Sequence, residues 1–132
     1  MHTSASFRSS AFNATEARPY FINPSCFGDD LARWLIARLR EAGVKTDDEP
    51  GQEDFGWYFD FEVQGCEHCC VLGYRPGEPD GMWLLWIERA RGLVGSMLGL
   101  RNRGIRPAAV DAVNTVLSKA AEVHSLRWES LE

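Results

Sequence analysis

The residues with the most chemical potential in this chain lie together, at Cys66-Glu67-His68-Cys69-Cys70. A Cys-x-x-Cys pair around a histidine supplies thiolate and imidazole donors of the kind zinc takes in tetrahedral sites. Cys66, His68 and Cys69 are therefore the metal-ligand candidates, and zinc is the cofactor they suit. A structural zinc site ordinarily draws on two such pairs, whereas the only other cysteine is Cys26, far upstream. Strand geometry also opposes the site, because Cys69 and Cys70 must point to opposite faces and only one can join Cys66 and His68. Cys70 reads instead as a small buried hydrophobe. Nucleophilic catalysis would need a thiol beside a base and an orienting group. Cys66 or Cys69 with His68 or His124, assisted by Asp60 or Glu62, are the residues available, and no spacing brings them together. A thioredoxin-type motif fits less well, since it opens a helix after a strand and this one lies at a hairpin.

A second constellation is the pair Asp60 and Glu62, which share one face of a strand with Tyr58. Carboxylates at i and i+2 on a strand stand about 6.5–7 Å apart, a separation that suits acid/base work or a divalent cation. The commoner meaning of such a pair is a solvated sheet face. Tyr58, Asp60 and Glu62, together with Trp83 or Trp86, also have the make-up of a protein-binding patch. A third possibility is a small-molecule pocket between sheet and helices, lined by Trp34, Trp57, Tyr74 and Trp86. The chain has no G-x-G-x-x-G, P-loop, G-x-S-x-G or H-E-x-x-H signature.

The elements that must position these residues are legible from periodicity. Phe55, Trp57, Phe59, Phe61 and Val63 alternate with Gly56, Tyr58, Asp60, Glu62 and Gln64, which predicts a strand with one buried face. Gln64-Gly65-Cys66-Glu67 reads as a hairpin turn, Cys69 to Arg75 as the next strand, residues 76–81 as a second turn, and Met82 to Arg89 as a third strand. The preferred register sets Phe61 beside Cys70, Phe59 beside Leu72 and Trp57 beside Tyr74. One more loop residue would set Phe61 beside Val71. The third strand is apolar on both faces, with Trp83, Leu85 and Ile87 on one and Met82, Leu84 and Trp86 on the other, as in a strand covered on both sides or exposing a patch.

Leu31, Trp34, Leu35, Leu39 and Ala42 recur at helical spacing, with Gly28, Asp29 and Asp30 at the start and Gly43 at the end. Pro107 opens a second helix carrying Val110, Val113, Leu117, Ala120, Ala121 and His124. Phe7 to Phe12 alternate weakly as an edge strand, residues 1–6 are expected to fray, and residues 46–53 form a polar connector. Leu93 to Leu100 is apolar but broken by glycines, and Leu126 to Leu131 suggests a short strand or tail. The expected fold is α+β: an antiparallel β-meander of three to five strands, in a single layer, packed with two main α-helices.

At 132 residues the chain has the length of a single domain. Hydrophobic residues at 45% and charged residues at 25% exclude a disordered composition. Its 14 basic and 19 acidic residues leave a net charge of −5, which disfavours nonspecific binding to nucleic acid or anionic membrane. The Arg-rich stretch Arg89, Arg91, Arg101, Arg103, Arg106 lacks the interleaved aromatics of a single-strand groove and reads as a solvated face and loop. No apolar run reaches membrane-helix length and Met1 to Ser10 has no signal-peptide core, so a cytoplasmic protein with unpaired cysteines is expected.

The run Glu53-Asp54-Phe55-Gly56-Trp57, followed by a hairpin and a Trp-rich strand, resembles small uncharacterised bacterial α/β proteins with an E-D-aromatic-G-W motif. Some proteins of that general size are immunity or accessory proteins of toxin systems, so the resemblance implies a binding role and carries no catalytic residue across. The expected function is thus a non-catalytic protein-binding or accessory domain, an immunity-like role being one form of it, with a protein partner or a second copy. The alternatives are a metal-binding protein or metalloenzyme on Cys66, His68 and Cys69, and a small-molecule pocket.

Overall fold

A computed structural model describes residues 2–53, 56–77, 81–89 and 104–129. Phe55, residues 78–80, Leu93 to Leu100, Arg91, Arg101, Arg103 and the end of the tail lie outside the described residues. The fold is mixed α+β, with two helices and a seven-stranded antiparallel open sheet among the described residues. The strands are β1 (Ser4–Arg8), β2 (Lys45–Thr46), β3 (Gly51–Glu53), β4 (Gly56–Val63), β5 (Cys66–Arg75), β6 (Met82–Arg89) and β7 (His124–Glu129). The helices are α1 (Asp29–Glu41) and α2 (Pro107–Lys119). Neither is long and apolar enough to cross a membrane.

The meander β4-β5-β6 is present, and four more strands extend it beyond the expected three to five. The order is β2-β4-β5-β6-β1-β7, with β3 pairing farther along β4 on the same side as β2. The polar connector of residues 46–53 therefore supplies most of a split edge. Residues 1–6, expected to fray, are mostly built into the sheet. Ser4 to Phe7 pair with β6 and Ser4 to Arg8 pair with β7, and the Phe7 ring has 0% exposure. A strand with neighbours on both sides and a buried aromatic cannot be an edge.

Topology explains why both helices share one face. β6 and β7 are each antiparallel to β1, so they run parallel to one another and α2 lies in the crossover between them. β1 and β2 are likewise parallel, joined through α1, but they run the opposite way and the chain shifts sideways in the opposite direction. Reversing both direction and displacement leaves a right-handed crossover on the same side of the sheet.

On that side Trp57, Phe59, Phe61, Leu72, Trp83, Leu85 and Ile87 meet Leu31, Leu35 and Leu39 of α1 and Val113 and Leu117 of α2 in one buried cluster. α1 is entered through Gly28, whose φ of 138° is open to glycine and whose added Cβ would lie 2.7 Å from Leu72 Cδ1. Ala120 to His124 leave the helix, and β7 is pinned to α2 by the Trp128 indole, which donates to Asn114 Oδ1 at 2.8 Å.

Candidate functional site

The β4–β5 hairpin decides the fate of the cysteine cluster. Its turn is Gln64-Gly65, with φ of 53° and 72°, the paired positive values of the tight hairpin turn whose twist matches that of the strands. The register that follows sets Val63 beside Cys66, Phe61 beside His68, Phe59 beside Cys70 and Trp57 beside Leu72. This is two residues from the preferred register, because the turn sits one residue earlier on each side than a Gly65-Cys66 loop. A shift of two preserves the faces. Cys66, His68 and Cys70 therefore lie on the helix-covered side and Cys69 on the other, so Cys66, His68 and Cys69 do not converge. Among the described residues no group of three or more His, Cys, Asp or Glu side chains is gathered as a metal would require.

His68 is fully buried, and both its nitrogens are engaged. Nδ1–H donates to the Cys66 carbonyl at 3.0 Å, and Nε2 accepts the Arg106 backbone N–H at 3.0 Å. Arg106 is the residue that caps α2, so the imidazole satisfies one of the helix's otherwise orphaned donors. Burial holds the His68 pKa below the usual histidine range, reinforced by the charges of Arg89 and Arg106. Cys66, half-buried at the hairpin, is shifted the opposite way to the thiols of Cys69 and Cys70. A hydrogen bond from the Arg106 side chain, and the charges of Arg106 and Arg89, lower its thiol pKa. Burial pushes the Cys70 thiol far up, and burial together with the nearby Asp60 carboxylate does the same to Cys69. No disulfide joins any of the four cysteines.

Across the opposite face, Asp60, Cys69 and Glu88 form one cross-strand row and Tyr58, Val71 and Trp86 the next. Cys69, Val71 and Glu88 are buried while Tyr58, Asp60 and Trp86 are half-buried, and the Trp86 indole donates to Glu88 Oε1 at 2.8 Å. Glu62 lies 3.7 Å from Lys45 Nζ in a surface ion pair, and the Asp60 backbone N–H donates to the Asp47 carboxylate at 2.9 Å. Both residues thus lie at the β2 edge of the sheet. Trp83 belongs to neither patch: it has 0% exposure on the helix-covered side and cannot meet a partner.

Further along this face is a concavity of about 380 Å³ where Met82, Leu84 and Trp86 lie half-buried among Ser4, Ser6, Arg75, Arg127 and Glu129. The apolar side chains here belong to the third strand's second face. The contributions of β1 and β7 carry no local signal, because adjacency of β6, β1 and β7 is a property of the whole topology. The aromatic residues expected to line one pocket between sheet and helices are instead dispersed. Trp57 is in the core with its indole on the Cys26 carbonyl at 2.9 Å, Trp34 lines a groove between α1 and α2, Tyr74 lines a cleft at the end of the sheet, and Trp86 is on the opposite face. Comparison with protein-family models, curated proteins and solved structures finds no match to this chain.

Proposed function

We propose that the chain is a non-catalytic binding module whose partner is a protein, engaged on the sheet face opposite the helices. The observation that carries this is the concavity in which Met82, Leu84 and Trp86 are half-buried between Arg75, Arg127 and Glu129. Tryptophan and arginine dominate binding energy at protein interfaces, where an apolar centre is ringed by charged groups that exclude water. Two guanidiniums at the rim of a chain with net charge −5 favour a partner segment that offers an apolar side chain flanked by carboxylates. An accessory role of the immunity kind is one function such a module serves, and Tyr58, Asp60 and Glu62 extend the same face towards the β2 edge.

Affinity capture with the purified protein, compared across wild type, Trp86→Ala and Arg127→Glu, tests this. Truncation of a central aromatic anchor is expected to weaken capture by about 2 kcal/mol or more, close to a thirtyfold loss. Sedimentation equilibrium on the same three proteins shows whether the partner is a second copy. Equal recovery of the same proteins by all three, with no change in self-association, would sink the proposal.

A further inference from the structure

Four of the five tryptophan indoles have an acceptor for their N–H. Trp57 and Trp83 donate to the carbonyls of Cys26 and Ser9 at 2.9 and 3.4 Å, and Trp86 and Trp128 donate to the side chains of Glu88 and Asn114 at 2.8 Å. The fifth, Trp34, has its Nε1 buried without a partner, alone among the buried side-chain nitrogens and oxygens of the described residues. An indole can only donate, and native structures rarely leave a buried donor without an acceptor. We infer that the groove lined by Trp34, between α1 and α2, binds a small neutral molecule with a carbonyl oxygen on an apolar body. That oxygen accepts the Trp34 N–H. The groove is on the helix-covered side of the sheet, so the inference is independent of the proposed protein-binding face.

Size and lining fit such a ligand. The volume is about 420 Å³, within the range of about 300–1,000 Å³ usual for ligand pockets, and clefts between helices are a common place for them. Trp34, Arg38, Glu41 and Ala42 recur at helical spacing along α1 and its C-cap, and Val116, Lys119 and Ala120 do so along α2 and its C-cap. Ala42, Ala120 and Ala121 contribute only methyl groups to the lining, which leaves room that larger side chains would occupy. The charges cancel: Arg38 and Lys119 are matched by Glu41 and Glu122, and Arg38 pairs with Glu41 at 3.0 Å. With no surplus charge here to offset an ion's lost hydration, the ligand that fits is neutral.

The indole is also held in place before any ligand arrives. Its ring meets Phe12 edge-on at 5.4 Å, and the Arg38 guanidinium stands over it, 5.8 Å from the ring centroid. The loop bearing Phe12 is tied to α1, because the Asn13 backbone N–H donates to the Asp30 carboxylate at 2.7 Å. An aryl group in the groove therefore gains aromatic contact without ordering a loose tryptophan. Arg38, Glu41 and Lys119 are exposed, so a ligand reaches the N–H by displacing flexible side chains and no backbone.

Heteronuclear NMR of the five indole N–H groups tests this, with the Trp34 signal assigned as the one that Trp34→Phe removes. The probes are acetophenone, N,N-dimethylbenzamide, ethylbenzene and benzoate. At least one of the two neutral carbonyl probes is expected to shift the Trp34 N–H downfield and saturably, leaving the four partnered indoles in place. Ethylbenzene, which has the shape of acetophenone without its oxygen, should bind about tenfold more weakly, and Trp34→Phe should remove that difference. Ala121→Leu fills the groove from an exposed position and should abolish the shift while the Trp34 signal stays, which serves even where Trp34→Phe fails to fold. No saturable shift with either carbonyl probe, or a shift that Ala121→Leu leaves unchanged, overturns the site. Equal affinity for acetophenone and ethylbenzene overturns the role of the N–H, and tighter binding of benzoate overturns the neutral class. A Trp34 signal that answers to Phe12→Leu and to no carbonyl probe has the Phe12 ring as its acceptor, which also overturns the inference.

Discussion

At the residue scale, His68 shows how a residue with catalytic potential is consumed by structure. One nitrogen closes the hairpin back onto Cys66 and the other caps α2, so the ring joins the second helix to the sheet as a neutral hydrogen-bonding hinge point. Because its folded pKa is lowered, the unfolded chain binds more protons between that value and the ordinary histidine pKa of about 6.5. Stability is then fully present above about pH 6.5 and declines as pH falls through the folded pKa, by at most about 1.4 kcal/mol per pH unit for one proton. Urea unfolding between pH 7.5 and 5, values chosen to bracket about 6.5, should show this slope in wild type and a shallower one in His68→Gln. Equal slopes would place the proton elsewhere. The thiols supply a second prediction. Iodoacetamide in excess should alkylate Cys66 first, through its arginine-favoured thiolate, while Cys69 and Cys70 react only on unfolding. Peptide mapping of a time course reads the order directly.

At the element scale, the β4–β5 hairpin is the device that assigns Cys66, Cys69 and Cys70 their faces. Gly65 has a φ of 72° with nothing near its missing side chain, so a substitution meets backbone strain and no steric neighbour. Gly65→Val should therefore cost about 1–2 kcal/mol, measured by chemical denaturation, and Gly65→Asn much less. The core strand alternation is under a heavier constraint. Phe59 has 0% exposure between the sheet and the helices, and Phe59→Ala should destabilise by about 3–5 kcal/mol in the same assay. The alternation of β4, the existence of a turn at Gly65, the extent of β6 and the course of α1 were all legible because each rests on local periodicity and capping. The register slipped by two because faces constrain only its parity, and the turn's two positive φ values had to be placed to fix the rest.

At the scale of the whole molecule, the chain's beginning and its end are adjacent in the sheet. β1 lies between β6 and β7, with Thr3 accepting the Ile87 N–H at 2.9 Å and donating its own N–H to the Glu129 carbonyl at 3.1 Å. Removing residues 1–8 should thus take out a central strand and the Phe7 ring, leaving β7 without its partner. The truncated chain is expected to lose cooperative thermal unfolding, and retention of a native-like transition would show that β1 is dispensable. The same adjacency builds the proposed binding face, since Ser4 and Ser6 enter the concavity beside Met82, Leu84 and Trp86.

The amino-acid sequence by itself determined the two helices, the three meander strands and the separation of Cys69 from Cys70, all of which follow from the period of a strand or helix. It also marked Met82, Leu84 and Trp86 as a surplus apolar face. Only the tertiary structure decided that Trp83 is core while Trp86 lines a surface, that His68 caps a distant helix, and that Arg8 meets His124. Those outcomes depend on which strands become neighbours. Strand neighbourhood is settled by crossover handedness and by burial of the whole core, over separations in the chain that no local pattern spans.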